Sequence, residues 1–324
     1  MQAVLATALE VTLTRSAVPH RPVLLQETLE LLRPAAGATI VDATLGPGGH
    51  AESLLARIGP GGRVIGIDRD PAAIAFAQNR LARFGERFVA LQGDHRELAS
   101  LLEGTQVDGV LADLGISSYQ LDDPSRGFAF STDGPLDMRM DPRSGGPTAA
   151  DLLATLEASE LKDIIATWGE ERYAGAIARA IVRERSKKPI VTTRELASLL
   201  ERVAGPAARR FRIHPATRTF QALRIAVNRE IEGIPEFIEG AVSLLRPGGR
   251  LAVISFHSLE DRAVKTSMHG LAHRCVCPPG LPVCGCGRAN LVRIVTSRPV
   301  VPGPDETDAN PRSRSAKLRV AERL

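Results

Sequence analysis

Four acidic side chains stand where short apolar runs give way to turns: Asp42, Asp68, Asp94 and Asp113. A carboxylate so placed can hold an ammonium group, a ribose diol or the amino edge of a base, or take a proton from a nucleophile. Between the first two lies Gly46-Pro47-Gly48-Gly49-His50-Ala51, a loose match to the glycine fingerprint of dinucleotide sites. Asp68 falls at the spacing of the ribose-binding acid in that fingerprint. Two features pull away from a dinucleotide. Asp42 sits just before the loop, where its charge is costly beside a pyrophosphate but useful beside an amino group. Gly93-Asp94-His95 follows a third apolar run, where an adenine ring can be held. Carboxylates near an ammonium, a ribose and a base suit S-adenosylmethionine, which carries no phosphate. The bland alternative is an α/β core with an idle glycine turn.

These side chains need a frame that brings them together. Residues 40–43 read as a short buried strand, and a helical stretch starts at His50. Residues 64–67 give a second strand ending at Asp68. The strand–helix–strand unit so formed leaves a ligand-sized gap at the carboxyl ends of its strands. Residues 71–84 form the next helix, with Asp70 as N-cap and Pro71 in the first turn. Residues 88–92 and 107–112 are further strands, the last ending at Asp113. The expected class is α/β, with a Rossmann-like and mostly parallel sheet, and its first part spans 20–146 behind a loose leader, 1–19. Residues 114–146 lack clear periodicity and are too long for an idle connection. Tyr119, Phe128, Phe130, Leu136, Met138 and Met140 argue for an ordered loop over the site. Residues 147–208 read as an inserted all-helical domain, with helices near 149–157, 160–168, 171–186 and 194–204. A strand-like run at 189–191 is the one break in its helical character. Residues 209–324 return to the α/β domain, with strands near 251–256 and 316–320.

Composition excludes little. The 324 residues are 44% hydrophobic and 24% charged, ordinary for a folded protein, and a net charge of +4 permits nucleic acid without pointing to it. The N-terminal stretch lacks the pattern of a signal peptide, and no run approaches the ~18 apolar residues of a membrane span. A cytoplasmic protein with no membrane partner is expected. Cys275, Cys277, Cys284 and Cys286 form two C-x-C pairs separated by six residues. As thiolates they can ligate a structural zinc ion, although such sites more often have two residues between paired cysteines. A reducing compartment argues against disulfides.

The longer motifs are more specific than the glycine turn. His20-Arg21-Pro22-Val23, Asp42-Ala43-Thr44-Leu45-Gly46, Asp113-Leu114-Gly115-Ile116-Ser117-Ser118 and Asp133-Gly134-Pro135-Leu136-Asp137-Met138-Arg139-Met140-Asp141 occur in that order. His257-Ser258-Leu259-Glu260-Asp261 and Asn310-Pro311-Arg312-Ser313-Arg314-Ser315 follow. With them the chain resembles the bacterial 16S rRNA (cytosine-N4) methyltransferase family called RsmH or MraW. The resemblance implies a class I S-adenosylmethionine-dependent methyltransferase core carrying a helical insertion. It implies N4-methylation of a decoding-centre cytidine in 16S rRNA, within the small (30S) ribosomal subunit. It carries cofactor roles to Gly48, Gly49, His50, Asp68, Asp113 and Gln120, and to the neighbourhood of His95, where the family is often aromatic. Asp42 and Asp94 join these from the reading of the residues themselves.

The amine of cytosine is a poor nucleophile, because its lone pair is delocalised into the ring. A residue must hold it in line and accept its hydrogen bonds. Asp113 is the best candidate for orienting the cofactor or the amine. Ser117, Ser118 and Tyr119 are candidates for holding the base, and His257 for touching the base or a phosphate. Arg126, Arg209, Arg210, Arg212, Arg218, Arg312 and Arg314 are expected on the RNA backbone, as contacts that position without reading sequence. Asp137, Arg139 and Asp141 are expected to fix the loop as ion pairs, and Phe128 and Phe130 to pack it. The enzyme is expected to act as a monomer or homodimer. The competing readings are an amino-methyltransferase acting on DNA or another RNA, and a non-enzymatic RNA-binding protein.

Overall fold

The computed structural model describes residues 22–205, 213–277 and 285–324. The expected leader, Arg209, Arg210, Arg212 and Cys284 lie outside the described residues. Strands β1 (Thr39–Asp42), β2 (Arg63–Asp68), β3 (Phe88–Gln92), β4 (Val107–Asp113), β5 (Leu245–Ser255), β6 (Val292–Ile294) and β7 (Lys317–Arg323) form one sheet. Their order is β3-β2-β1-β4-β5-β7-β6. The pairs from β3 to β5 are parallel, and β7 runs antiparallel between β5 and β6.

Both faces of the central strands are covered, which is why they read as apolar runs and not as clean alternation. The two-residue period still sorts the faces. Ile40, Val64 and Leu111 pack with Leu54, Leu55 and Ile58 of α2 (Gly49–Ile58) and Leu81 of α3 (Pro71–Leu81). Val41, Ile65 and Val110 pack on the other side. Their partners there are Leu98, at the start of α4 (Leu98–Leu101), Phe237 and Ile238 of α11 (Ile234–Leu244), and Val264 of α12 (Ser258–Ala272). Strand order reverses between β1 and β4. At such a switch the crevice beyond the carboxyl ends of the strands is open to a ligand.

The insertion forms as its sequence indicates. Helices α6 (Ala149–Thr155), α7 (Ala158–Gly169), α8 (Ala174–Arg185) and α9 (Thr193–Ala204) lie within a few residues of expectation. Thr148 and Thr192 accept the orphan N–H groups of α6 and α9, as capping boxes do.

One helix packs away from the part in which it was expected. Helix α10 (Ala216–Asn228) was expected in the returning α/β part, yet Ala216, Phe220 and Leu223 are buried with Leu161, Ile165 and Ile177 of the helical cluster. By its packing α10 sits with the helical core. Phe128, Leu136 and Met138 of the long loop are buried in that same cluster. Phe130 stacks on His214, with ring centroids 4.6 Å apart, and meets Phe220 edge-on. The loop is the seam between the two cores. The strand-like run at 189–191 reduces to one bridge, between Pro135 and Thr192, which pins the loop to the insertion. Among the described residues no helix is long and apolar enough to cross a membrane.

Candidate active site

A cleft of about 490 Å³ opens at the strand switch, within the range of small-molecule sites. Its wall includes Thr44 to Pro47 after β1, Asp68 after β2, Gly93 and His95 after β3, Asp113 to Ser118 after β4, and Phe256 and Glu260 beyond β5. Every strand from β1 to β5 thus delivers a side chain or turn to one place.

The glycine turn is not built to cradle phosphate. The Gly46 N–H donates to Asp68 Oδ2 (2.7 Å), and the Gly48 N–H to the Leu45 carbonyl (2.9 Å). Donors that a pyrophosphate needs are therefore spent inside the protein. The glycines serve packing. At Gly48, with φ +79°, an added Cβ would stand 3.1 Å from Leu81 of α3, and at Gly49 it would stand 2.7 Å from Pro22.

The acids are under electrostatic pressure. Burial pushes the Asp68 carboxyl up to about 6, although the N–H groups of Asp70 and Gly46 stabilise its charge. Burial, followed by the charge of Asp68, pushes Asp42 up to about 7. Asp113 is driven well above the carboxylate range, by burial first and then by Asp42 and Glu260. Asp42 Oδ2 and Asp113 Oδ1 are buried and make no hydrogen bond within the protein. Asp113 Oδ2 lies 3.7 Å from His50 Nδ1, and His50 Nε2 lies 3.1 Å from the Val23 carbonyl. On the base side of the cleft, burial pushes His95 down to about 4, so its ring, edge-on to Phe237, is neutral at pH 7.

A polar lattice hangs the loop on this frame. Asp70, buried, caps α3 through the Ala72 N–H and also accepts from Gln120 (3.0 Å) and Arg126 (2.7 Å). Arg126 donates onward to the carbonyls of Arg139 and Met140. Asn228, at the end of α10, donates to the Met138 carbonyl and accepts the Met140 N–H, both at 2.8 Å. Arg139 pairs with Asp137 through two contacts of 2.8 and 2.7 Å, while Asp141 accepts the Arg143 N–H.

Several expected site residues take other places. Asp42 lies behind the wall formed by Ala43 to Gly46 and acts on the cleft by charge. Asp94 does not line the cleft: its carboxylate is bound by Arg96 and lies 3.3 Å from Arg69, and they hold it down to about 2 against the effect of burial. Gln120 does line the cleft, with its amide committed to Asp70 and the Ser117 N–H. Tyr119 is half exposed against Phe76, outside the cleft wall, while Ser117 and Ser118 are in it. His257 caps α12 and turns Nε2 toward Glu260 Oε1, 3.2 Å away. It is Glu260, three residues on, that reaches the wall; burial works against its charge, but His257 and Arg224 hold its pKa below the ordinary value. The motif His257-Ser258-Leu259-Glu260 has capping-box spacing with histidine as the cap, and that signal pointed to Glu260.

Among the expected RNA contacts, Arg126 is a correction. Its guanidinium is buried and fully engaged with Asp70 and two carbonyls, so it braces the loop. Arg218 is spent partly on the Glu170 carbonyl. Arg312 at the cleft mouth pairs with Asp122 at 2.6 Å, and Arg314 is exposed. The structure also brings in Arg224 and Glu230, a half-buried pair at 2.8 Å in the same wall.

The cleft fits S-adenosylmethionine on its own chemistry. The cofactor's sulfonium and ammonium are positive, and the site offers strained carboxylates, one of them in the wall with an unpartnered oxygen. Asp68, Gly93, His95, Asp113 and the turn from Thr44 to Gly46 line the cleft and are the residues that would hold the group.

Comparison with known proteins gives the family. The family model described as "MraW methylase family" matches residues 17–324. The chain is 57% identical over 311 residues to the "Ribosomal RNA small subunit methyltransferase H" of Trichlorobacter lovleyi, covering 94% of this chain and 98% of that one. The protein of the same name from Thermomicrobium roseum is 53% identical over 308 residues, 94% of each chain. A structural likeness to a putative rRNA methylase of Clostridium thermocellum has a TM-score of 0.44 at 13% identity, over 93% of this chain and 95% of that one. Alike at more than half of its aligned positions to these relatives, and matched by the family's model almost from end to end, this chain belongs to the MraW methylase family of S-adenosylmethionine-dependent methyltransferases.

Proposed function

We propose that this methyltransferase places a methyl group on N4 of cytidine 1402 of 16S rRNA, acting on the small ribosomal subunit. The observation that carries the chemistry is Asp113, which lines the cleft and whose carboxyl Oδ1 is buried without a partner in the protein. Bound cofactor supplies an activated methyl on a cationic sulfur, and its charge favours the ionised form of Asp113. The amine needs an acceptor as its nitrogen loses conjugation with the ring, and the Asp113 carboxylate in the cleft wall is the group to serve. When the new N–C bond forms, the amine proton has the same carboxylate, or water, to go to. Ser117 and Ser118, on the turn just beyond, are the residues to hold the base. The cytidine must leave its stack to enter the cleft, which costs less in a loop or junction than within a duplex.

The test is made in cells. Deleting the gene removes N4-methylcytidine from that position of 16S rRNA, and the wild-type gene restores it while Asp113→Asn does not. Persistence of the modification after deletion overturns the assignment.

A further inference from the structure

Between α12 and β6 lies an excursion whose described residues, 273–277 and 285–290, do not line the cleft. Its base is closed. The Leu291 N–H donates to the Leu271 carbonyl (2.9 Å), the Arg274 N–H to Asn290 Oδ1 (3.2 Å), and the Arg274 guanidinium to the Ala289 carbonyl (3.4 Å). Beyond that closure no described residue of the excursion is buried, and Val276 is 63% exposed. A segment with no core of its own needs another source of order.

The cysteines are all here. The sulfurs of Cys275, Cys277 and Cys286 lie within 4.8 Å of one another, and Cys275 Sγ is 3.8 Å from Cys286 Sγ. A disulfide would bring two sulfurs to about 2.05 Å. Zn–S bonds of about 2.3 Å in a tetrahedron set the sulfurs about 3.8 Å apart, the separation seen for this pair. We propose that Cys275, Cys277 and Cys286 form a zinc-binding clip, ligating one zinc ion as thiolates. Cys284, the remaining cysteine of the sequence, lies outside the described residues. An all-sulfur donor set selects zinc over magnesium or calcium, which take oxygen ligands. No carboxylate lies between Asp261 and Asp305, while Arg262, Lys265, Arg274, Arg288, Arg293 and Arg298 do. Arg262 and Arg293 are paired with Glu170 and Glu322, whereas Arg274, bound to the Ala289 carbonyl, puts a positive charge next to Cys275 in the sequence.

The full-length protein, prepared under reducing conditions, is to be analysed for metal after dialysis and then titrated with Co(II) in place of zinc. The expected result is one zinc per chain, bound with a dissociation constant below about 100 nM at pH 7. Co(II) should give intense visible bands of tetrahedral geometry and a sulfur charge-transfer band. Cys275→Ser and Cys286→Ser should each weaken zinc binding at least tenfold, with S-adenosylmethionine affinity unchanged as the control for folding. A wild-type chain that retains no zinc, has freely reactive thiols, and gives only an octahedral Co(II) spectrum overturns the proposal. So does a Cys275–Cys286 disulfide in protein purified with reductant.

Discussion

A carboxylate kept from ionising by its surroundings is strained while the cleft is empty and useful once a cation arrives. Asp68 and Asp42, raised to about 6 and 7, and Asp113, raised further, are in that position. Because the cofactor's charge favours their ionised forms, its binding should release protons, and its affinity should rise as pH increases from 5 to 8. Calorimetry in buffers of different ionisation enthalpy measures that release directly; the uncharged thioether product should show a weaker dependence. The same groups act on folding in the opposite sense. A carboxyl whose folded pKa is raised stabilises the protein below its unfolded value, near 4, and that contribution is lost as pH rises through 6 to 7. Asp42→Asn should therefore raise the stability of the cofactor-free protein at pH 8 by roughly 1–2 kcal/mol while weakening cofactor binding, a trade visible in paired melting and binding curves. The strand-end acids were legible in the sequence because each ends an apolar run. Which of them reach the cleft was not: Asp94 turns to Arg96, and His257 spends its ring on a helix cap while Glu260 lines the wall.

At the level of elements, strands and helices follow from periodicity and caps that are local in sequence. Their assignment to one core or another does not. The apolar stripe of α10 would suit either core, and only the folded chain shows Phe220 and Leu223 among the helices of the insertion. The contacts that hold the long loop were hidden for the same reason, since Asp70 meets Arg126 across 56 residues and Asn228 meets Met138 across 90. Removing the cation from the first of these pairs leaves a buried carboxylate without its counter-charge. Arg126→Met should cost about 3–5 kcal/mol in denaturant unfolding, and adding Asp70→Asn should recover part of that loss. Additive losses in the double variant would mean that the two side chains are not coupled.

On the scale of the whole molecule, a parallel sheet presents a cofactor cleft at its switch point, and a helical unit and a long loop close over one side of it. The long motifs announced this arrangement, since they lie in the turns around the cleft and in the loop that joins the two cores. Binding of nucleic acid was not legible from a net charge of +4. The measurement that tests the central claim most directly is single-turnover transfer of labelled methyl from S-adenosylmethionine to small subunits lacking the modification, with wild-type enzyme and Asp113→Asn side by side. Wild-type enzyme should deliver label as N4-methylcytidine at one position. The variant should transfer about 10²–10³ times more slowly, with cofactor affinity changed less than its rate. Label on another base, or a variant as fast as wild type, would contradict the account.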